Sequence, residues 1–250
     1  ACGSPMAGGA DAACQAAHLV LLDSNFASMP QVVLEGRRVI NNIQRAASLF
    51  LVKNIFSFLL SLITIFAADM PYPFVPLQLS LISALTIGVP SFFLALEPNH
   101  AIVKGRFLPN VMKQACPGGL TNLFLVLGAE AFAYAFSFST ASLSTVSAML
   151  MAFNGLIVLF YVCRPFDWKR RVLWGAMTAA MVVCVVQLGS FFSLEPLTLQ
   201  TGLVCCVLLL LAVPCQRAVL KVMELCALVY QAFAARLRAH RRLRVLPEDT

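Results

Sequence analysis

The chain has 250 residues, of which 60% are hydrophobic and 12% charged, with a net charge of +7 and a mean hydropathy of +0.85. Soluble domains carry about a quarter of their residues charged, so this composition excludes a soluble globular enzyme and describes an integral membrane protein. Spans of roughly 20 apolar residues take up most of the length and leave little for soluble machinery.

The chain opens with "ACGSPMAGGADAAC", which lacks both a basic start and an early apolar core, so no signal peptide is read there. It does not begin with Met, which raises the expectation of a processed or truncated chain. The run "AAHLVLLDSNF" (16–26) has the pattern of a short buried strand that delivers Asp23 to a loop. Ser28 then offers a cap, Pro30 falls in a first turn, and Val32, Val33, Leu34, Val39, Ile40 and Ile43 recur at helical spacing. A helix starting near Pro30 is predicted to continue past Phe66, about 37 residues or roughly 55 Å at 1.5 Å per residue. That exceeds a hydrocarbon core of about 30 Å, so its first part, residues 30–45, is expected to stand in the cytoplasm as a stalk.

Six spans follow from the apolar runs: 46–68, 75–96, 118–138, 143–163, 172–194 and 197–216, with Lys53 and Glu130 the charged residues inside them. The runs are unbroken where barrel strands would alternate, so transmembrane strands are excluded. Basic residues mark one side. Arg37, Arg38 and Arg45 precede the first span, Lys104, Arg106 and Lys113 follow the second, Arg164, Lys169, Arg170 and Arg171 follow the fourth, and the rest lie from Arg217 to Arg244. The opposite loops carry only Asp69 and Glu195. The positive-inside rule therefore puts both termini and the loops 97–117 and 164–171 in the cytoplasm. For the basic tail 217–250, with its "RLRAHRRLR" (236–244), anionic lipid at the cytoplasmic face is the favoured partner over nucleic acid. Cys163, Cys184, Cys205, Cys206 and Cys215 sit in or at the ends of spans as small hydrophobes, and no C-x-x-C pair suggests a metal or disulfide framework.

Polar groups in a bilayer core are costly and tend to face a cavity or a helix partner. In the first span Lys53, Ser57, Ser61 and Thr64 share one helical face, with Asn54 beside it. The second span offers Ser80, Ser83 and Thr86, then Gly88 and Pro90. Pro90 has no N–H to give the Thr86 carbonyl, so a kink and a freed oxygen are expected there. Hard cations are bound by such oxygens. One reading is a cation path through Asn54, Ser57, Ser83 and Thr86; the other is ordinary interhelical hydrogen bonding. Lys53 is read either as a built-in counter-charge or, in preference, as a side chain snorkelling to the cytoplasmic surface. Glu130 is read as part of an exit path or as a partner of a polar neighbour such as Asn154.

The stretch 9–56 carries a "D-x-N-F" turn (Asp23, Asn25, Phe26), an "EGR" (Glu35, Gly36, Arg37) and an "NNIQ" (Asn41 to Gln44), and 76–98 opens with "QL" and closes with "EP". These resemble the phosphorylated-intermediate, P-type cation-pump ATPases. The resemblance implies an all-α membrane protein with a six-helix bundle over 46–216, a long stalk helix, and a small remnant of a HAD-like α/β phosphorylation domain at 1–29. It implies the membrane part of an ATP-driven cation pump whose complete form uses ATP and Mg²⁺ and translocates a cation across the plasma membrane. The family's "DKTG" and "GDG-x-ND" motifs are absent, so this chain alone is expected not to hydrolyse ATP and to need the missing amino-terminal part of the same pump. No catalytic, cofactor-binding or assured metal residue is assigned, and Asp11 and Asp23 are read as caps. Against the family's calcium pumps, Asn54 and Thr86 keep ligand types, whereas Ser57, Ser83 and Ile87 stand where an acid, Asn and Asp are usual. The two missing carboxylates argue against a calcium site of the usual kind. A self-contained six-helix carrier, channel or scaffold is the alternative.

Overall fold

The computed structural model describes residues 11–17, 20, 22, 25–67, 72–103 and 105–243, Ala13 and 231–243 as backbone only. Asp23, Asp69 and Lys104 lie outside the described residues, as does part of the strand expected within 16–26. Among the described residues every regular element is helical. Packing divides the chain into two units, residues 1–43 with 95–104, and residues 44–94 with 105–250.

In the first unit, α1 (Asp11–Ala16) precedes a single 3₁₀ turn, Phe26–Ser28. The Asn25 side chain caps that turn by accepting from Ala27 N at 3.0 Å, and Ser28 Oγ donates to Asn25 O at 2.7 Å. The turn leads directly into α2 (Met29–Phe66), a helix with no Pro beyond its first turn. The polar half predicted for the stalk and the apolar half predicted for the first span are therefore one uninterrupted element.

The second unit contains the remaining spans. The second is α3 (Pro76–Ser83), a π turn (Ala84–Gly88) and α4 (Val89–Ala95). The irregularity expected at Pro90 takes this form: Val89 N–H reaches back to Ala84 O, and the widened turn lies upstream of the proline. After it come α5 (Phe107–Phe136), α6 (Thr140–Val162), α7 (Trp168–Gln187) and α8 (Leu199–Leu243). Among the described residues six helices are long and apolar enough to cross a membrane. The helix of the third span begins at Phe107 rather than 118, carrying Pro117 inside it, and that of the sixth continues past 216 to Leu243.

The core sits around α6, which is 78% buried along its most apolar stretch against 17% for α7. The reason is in its residues: Ser, Thr, Ala and Gly spaced through "TASLSTVSAMLMAFNG" let neighbouring backbones approach closely. One cluster joins Phe56, Leu60 and Ile82 to Leu123, Val126 and Met151, and another joins Leu125 and Ala129 of α5 to Leu150 of α6 and Leu208 of α8. Gln78, only 1% exposed, fastens the end of α3 by donating to Ser193 O at 3.1 Å and accepting from Ser144 Oγ at 2.8 Å.

Candidate cation site

Four polar residues of the apolar spans, Lys53, Ser83, Thr86 and Asn122, come together where α2, the second span, α5 and α6 meet. A cavity of about 20 Å³ lies there, lined by Val52 and Lys53 of α2, Ser83 and Thr86 of the second span, Asn122 of α5 and Gly155 of α6, with apolar neighbours closing it. The volume holds roughly one water or one dehydrated ion. Thr86 is 3% exposed and its Oγ1 donates to Ile82 O at 2.7 Å, which orients the hydroxyl and leaves its oxygen able to accept. Ser83 Oγ is buried with no hydrogen-bond partner among the described residues. Thr86 and Ile87 lie within the π turn, and both are buried.

Two close approaches shape this point. A Cβ on Gly155 would meet Thr86 Cγ2 at 2.8 Å, so only glycine lets α6 come this near the threonine. A Cβ on Gly118 would meet Val158 Cγ2 at 2.5 Å and Val52 Cγ2 at 3.3 Å, which explains why "PGG" at 117–119 sits where α5 crosses α2 and α6. About one turn on, Asn122 receives a hydrogen bond from Asn154 Nδ2 at 2.8 Å, and the same nitrogen donates to Gly118 O at 3.0 Å. Both asparagines are fully buried, at 2% and 0%.

Of the six residues singled out from the sequence, Lys53, Ser83 and Thr86 line the cavity. Asn54 is exposed on the neighbouring face of α2, and Ser57 is half-buried outside the cavity lining. Glu130 of α5 has a buried Oε1 with no hydrogen-bond partner among the described residues, while Asn154 is engaged with Gly118 and Asn122 instead. Asn122, Gly118 and Gly155 were not anticipated. The signal for Asn122 was present, since an asparagine in an apolar span needs a partner; the glycines carry no such mark.

In the first unit a second polar constellation forms on the "NNIQ" segment. Asn42 Nδ2 donates to Ala95 O at 3.0 Å and Glu97 O at 2.7 Å, and Asn41 Nδ2 donates to Asn99 O at 3.3 Å and Ala101 O at 2.8 Å. His100 Nδ1 lies 3.0 Å from Leu34 O. Two adjacent amides thus satisfy four carbonyls of the segment that leaves the second span, where no secondary structure would satisfy them. Among the described residues no group of three or more His, Cys, Asp or Glu side chains stands together to hold a metal ion.

No protein-family model matches the chain. It is 34% identical over 209 residues to the probable cation-transporting ATPase exp7 of Streptococcus pneumoniae, covering 80% of this chain and 27% of that protein. It is 35% identical over 218 residues to the calcium-transporting ATPase CtpE of Mycolicibacterium smegmatis, covering 79% of this chain and 27% of that protein. A shorter match, 38% identical over 91 residues, joins 36% of the chain to 7% of the P-type sodium-transporting ATPase4 of Toxoplasma gondii. The chain spans about a quarter of the length of the first two relatives.

Proposed function

We propose that this chain, which belongs to the P-type cation-transporting ATPases, supplies the membrane portion of an ATP-driven pump: part of the ion path and the helix that couples it to ATP hydrolysis. The observation that carries the ion path is the small cavity between α2, the second span, α5 and α6, where Lys53, Ser83, Thr86 and Asn122 come together in an otherwise apolar lining. The continuity of α2 from Met29 to Phe66 supports the coupling role, because an unbroken helix transmits displacement along its axis. A self-contained carrier, channel or scaffold is not favoured, since the relatives that match most of the chain are ATPases.

The cavity lining contributes neutral oxygens and one ammonium group. A divalent ion in low dielectric needs negative charge beside it. We assign that charge to parts of the pump outside this chain and give Lys53 the role of a counter-charge at the site. ATP and Mg²⁺ belong to the complete pump. The described residues do not fit them, having no carboxylate cluster for the metal, so no step of hydrolysis is routed through this chain. Both termini face the cytoplasm of a plasma-membrane protein on this reading, with the basic residues beside the spans held by anionic lipid.

Thr86→Val removes the hydroxyl at nearly constant volume. In the complete pump it is expected to raise the ion concentration for half-maximal ATPase stimulation about tenfold, the weight of one contact to a charged group. Unchanged ion dependence would remove Thr86 from the path.

A further inference from the structure

Asn122 lines the cation cavity and Asn154 does not, yet the contacts of Asn154 decide what Asn122 offers there. A backbone carbonyl only accepts, so the amide atom of Asn154 that lies 3.0 Å from Gly118 O is its nitrogen. That nitrogen lies 2.8 Å from the nearer amide atom of Asn122, which is therefore the oxygen, Oδ1. One carbonyl thus fixes the orientation of both amides. Asn122 Nδ2 is left over. It has no hydrogen-bond partner among the described residues and, unlike Asn154 Oδ1, is not enclosed. In a residue only 2% exposed, that open surface belongs to the cavity the side chain lines. Lys53 lines the same cavity, so Asn122 and Lys53 both bring donors to it, and donors repel a cation.

For the Asn122 oxygen to take part in binding, the amide has to turn over. Turning it breaks the hydrogen bond from Asn154 and sets two amide nitrogens against each other. Asn154 Oδ1 is buried with no donor among the described residues, so the pair keeps this orientation although it leaves one acceptor unsatisfied.

We propose that Asn154 is a positioning residue of the cation site, holding Asn122 with its nitrogen toward the cavity, so that the arrangement described here is a weakly binding form of the site. A cation gains the Asn122 oxygen only by drawing it away from Asn154, and that lost hydrogen bond weakens binding. The assignment rests on the reading of this cavity as part of the ion path.

The test measures ATPase stimulation of the complete pump titrated with calcium and, separately, with sodium. Asn154→Leu frees the Asn122 amide to turn. It is expected to lower the half-maximal ion concentration about tenfold, the weight of one contact to a charged group. A residue that served packing alone would raise that concentration or leave it unchanged. In the Asn122→Leu background the same substitution is expected to lower nothing, because its effect runs through the Asn122 amide. Should Asn154→Leu not fold, Asn154→Ser, too short to reach Asn122, carries the same expectations. A half-maximal concentration that stays or rises, or a fall that persists without Asn122, would overturn the assignment. The ion path is judged separately by Thr86→Val. Ion dependence that responds to Thr86→Val but not to Asn154→Leu overturns the role of Asn154 alone, whereas dependence that responds to neither overturns both.

Discussion

Thr86 is held from two sides: its hydroxyl donates to Ile82 O within the second span, and Gly155 of α6 leaves the space its methyl group occupies. Gly155→Ala puts a methyl group within 2.8 Å of that side chain, so something must shift. Overpacking of this kind costs about 1–3 kcal/mol. The expected outcome is a lowered melting temperature in detergent together with reduced ion-stimulated ATPase activity of the complete pump; a variant with unaltered ion dependence would show that Thr86 is not positioned by α6. The serines, threonine and lysine of the first two spans were legible beforehand because polarity inside lipid is conspicuous. Their grouping was not legible. Lys53 and Asn54 are adjacent in sequence, yet one lines the cavity and the other is exposed, and only the rotation of α2 against its neighbours separates them.

Among the elements, α2 and the segment after α4 are tied by a reciprocal arrangement of amides and carbonyls. Asn42, 4% exposed, serves the carbonyls of Ala95 and Glu97. Asn42→Ala removes both donors and leaves these carbonyls to water, at a cost of about 1–3 kcal/mol confined to the segment. Hydrogen–deuterium exchange of residues 97–103 is expected to speed up at least about tenfold, with the α5 and α6 amides unchanged; exchange that stays slow would show the segment to be held by other contacts. The long helix was readable from its start signals and the absence of internal breakers, whereas the π turn in the second span was only half anticipated. Pro90 announces a missing donor, but whether the backbone answers with a kink or with a widened turn depends on which neighbour fills the gap.

For the molecule as a whole, the asymmetry of basic residues predicts which ends of the spans face the cytoplasm. Single cysteines placed at Glu195 and Trp168 in intact cells test this: an impermeant thiol reagent should label the first, exposed in the loop 188–198, and reach the second, also exposed, only after permeabilisation. The reverse pattern would invert the topology. α6 is the member of the bundle that touches most of the others, and α7 is the most peripheral. That ranking agrees with composition only in part. α7 carries small residues as well, in "WGAMTAAM", yet its buried residues are Arg170 at its start and Met181, and most of its surface faces outward.

Length, hydropathy and the distribution of charge were enough to predict six membrane helices and a first helix longer than the bilayer core, because these depend on one-dimensional periodicity and on the cost of burying charge in lipid, whereas the resemblance to cation pumps came from short motifs such as "EGR" and "NNIQ". Which polar side chains meet was settled by packing in three dimensions. Gly118 and Gly155 set how closely α5 and α6 approach α2 and the second span, and in that packing Asn122 and Thr86 line one cavity while Asn54 lies outside it.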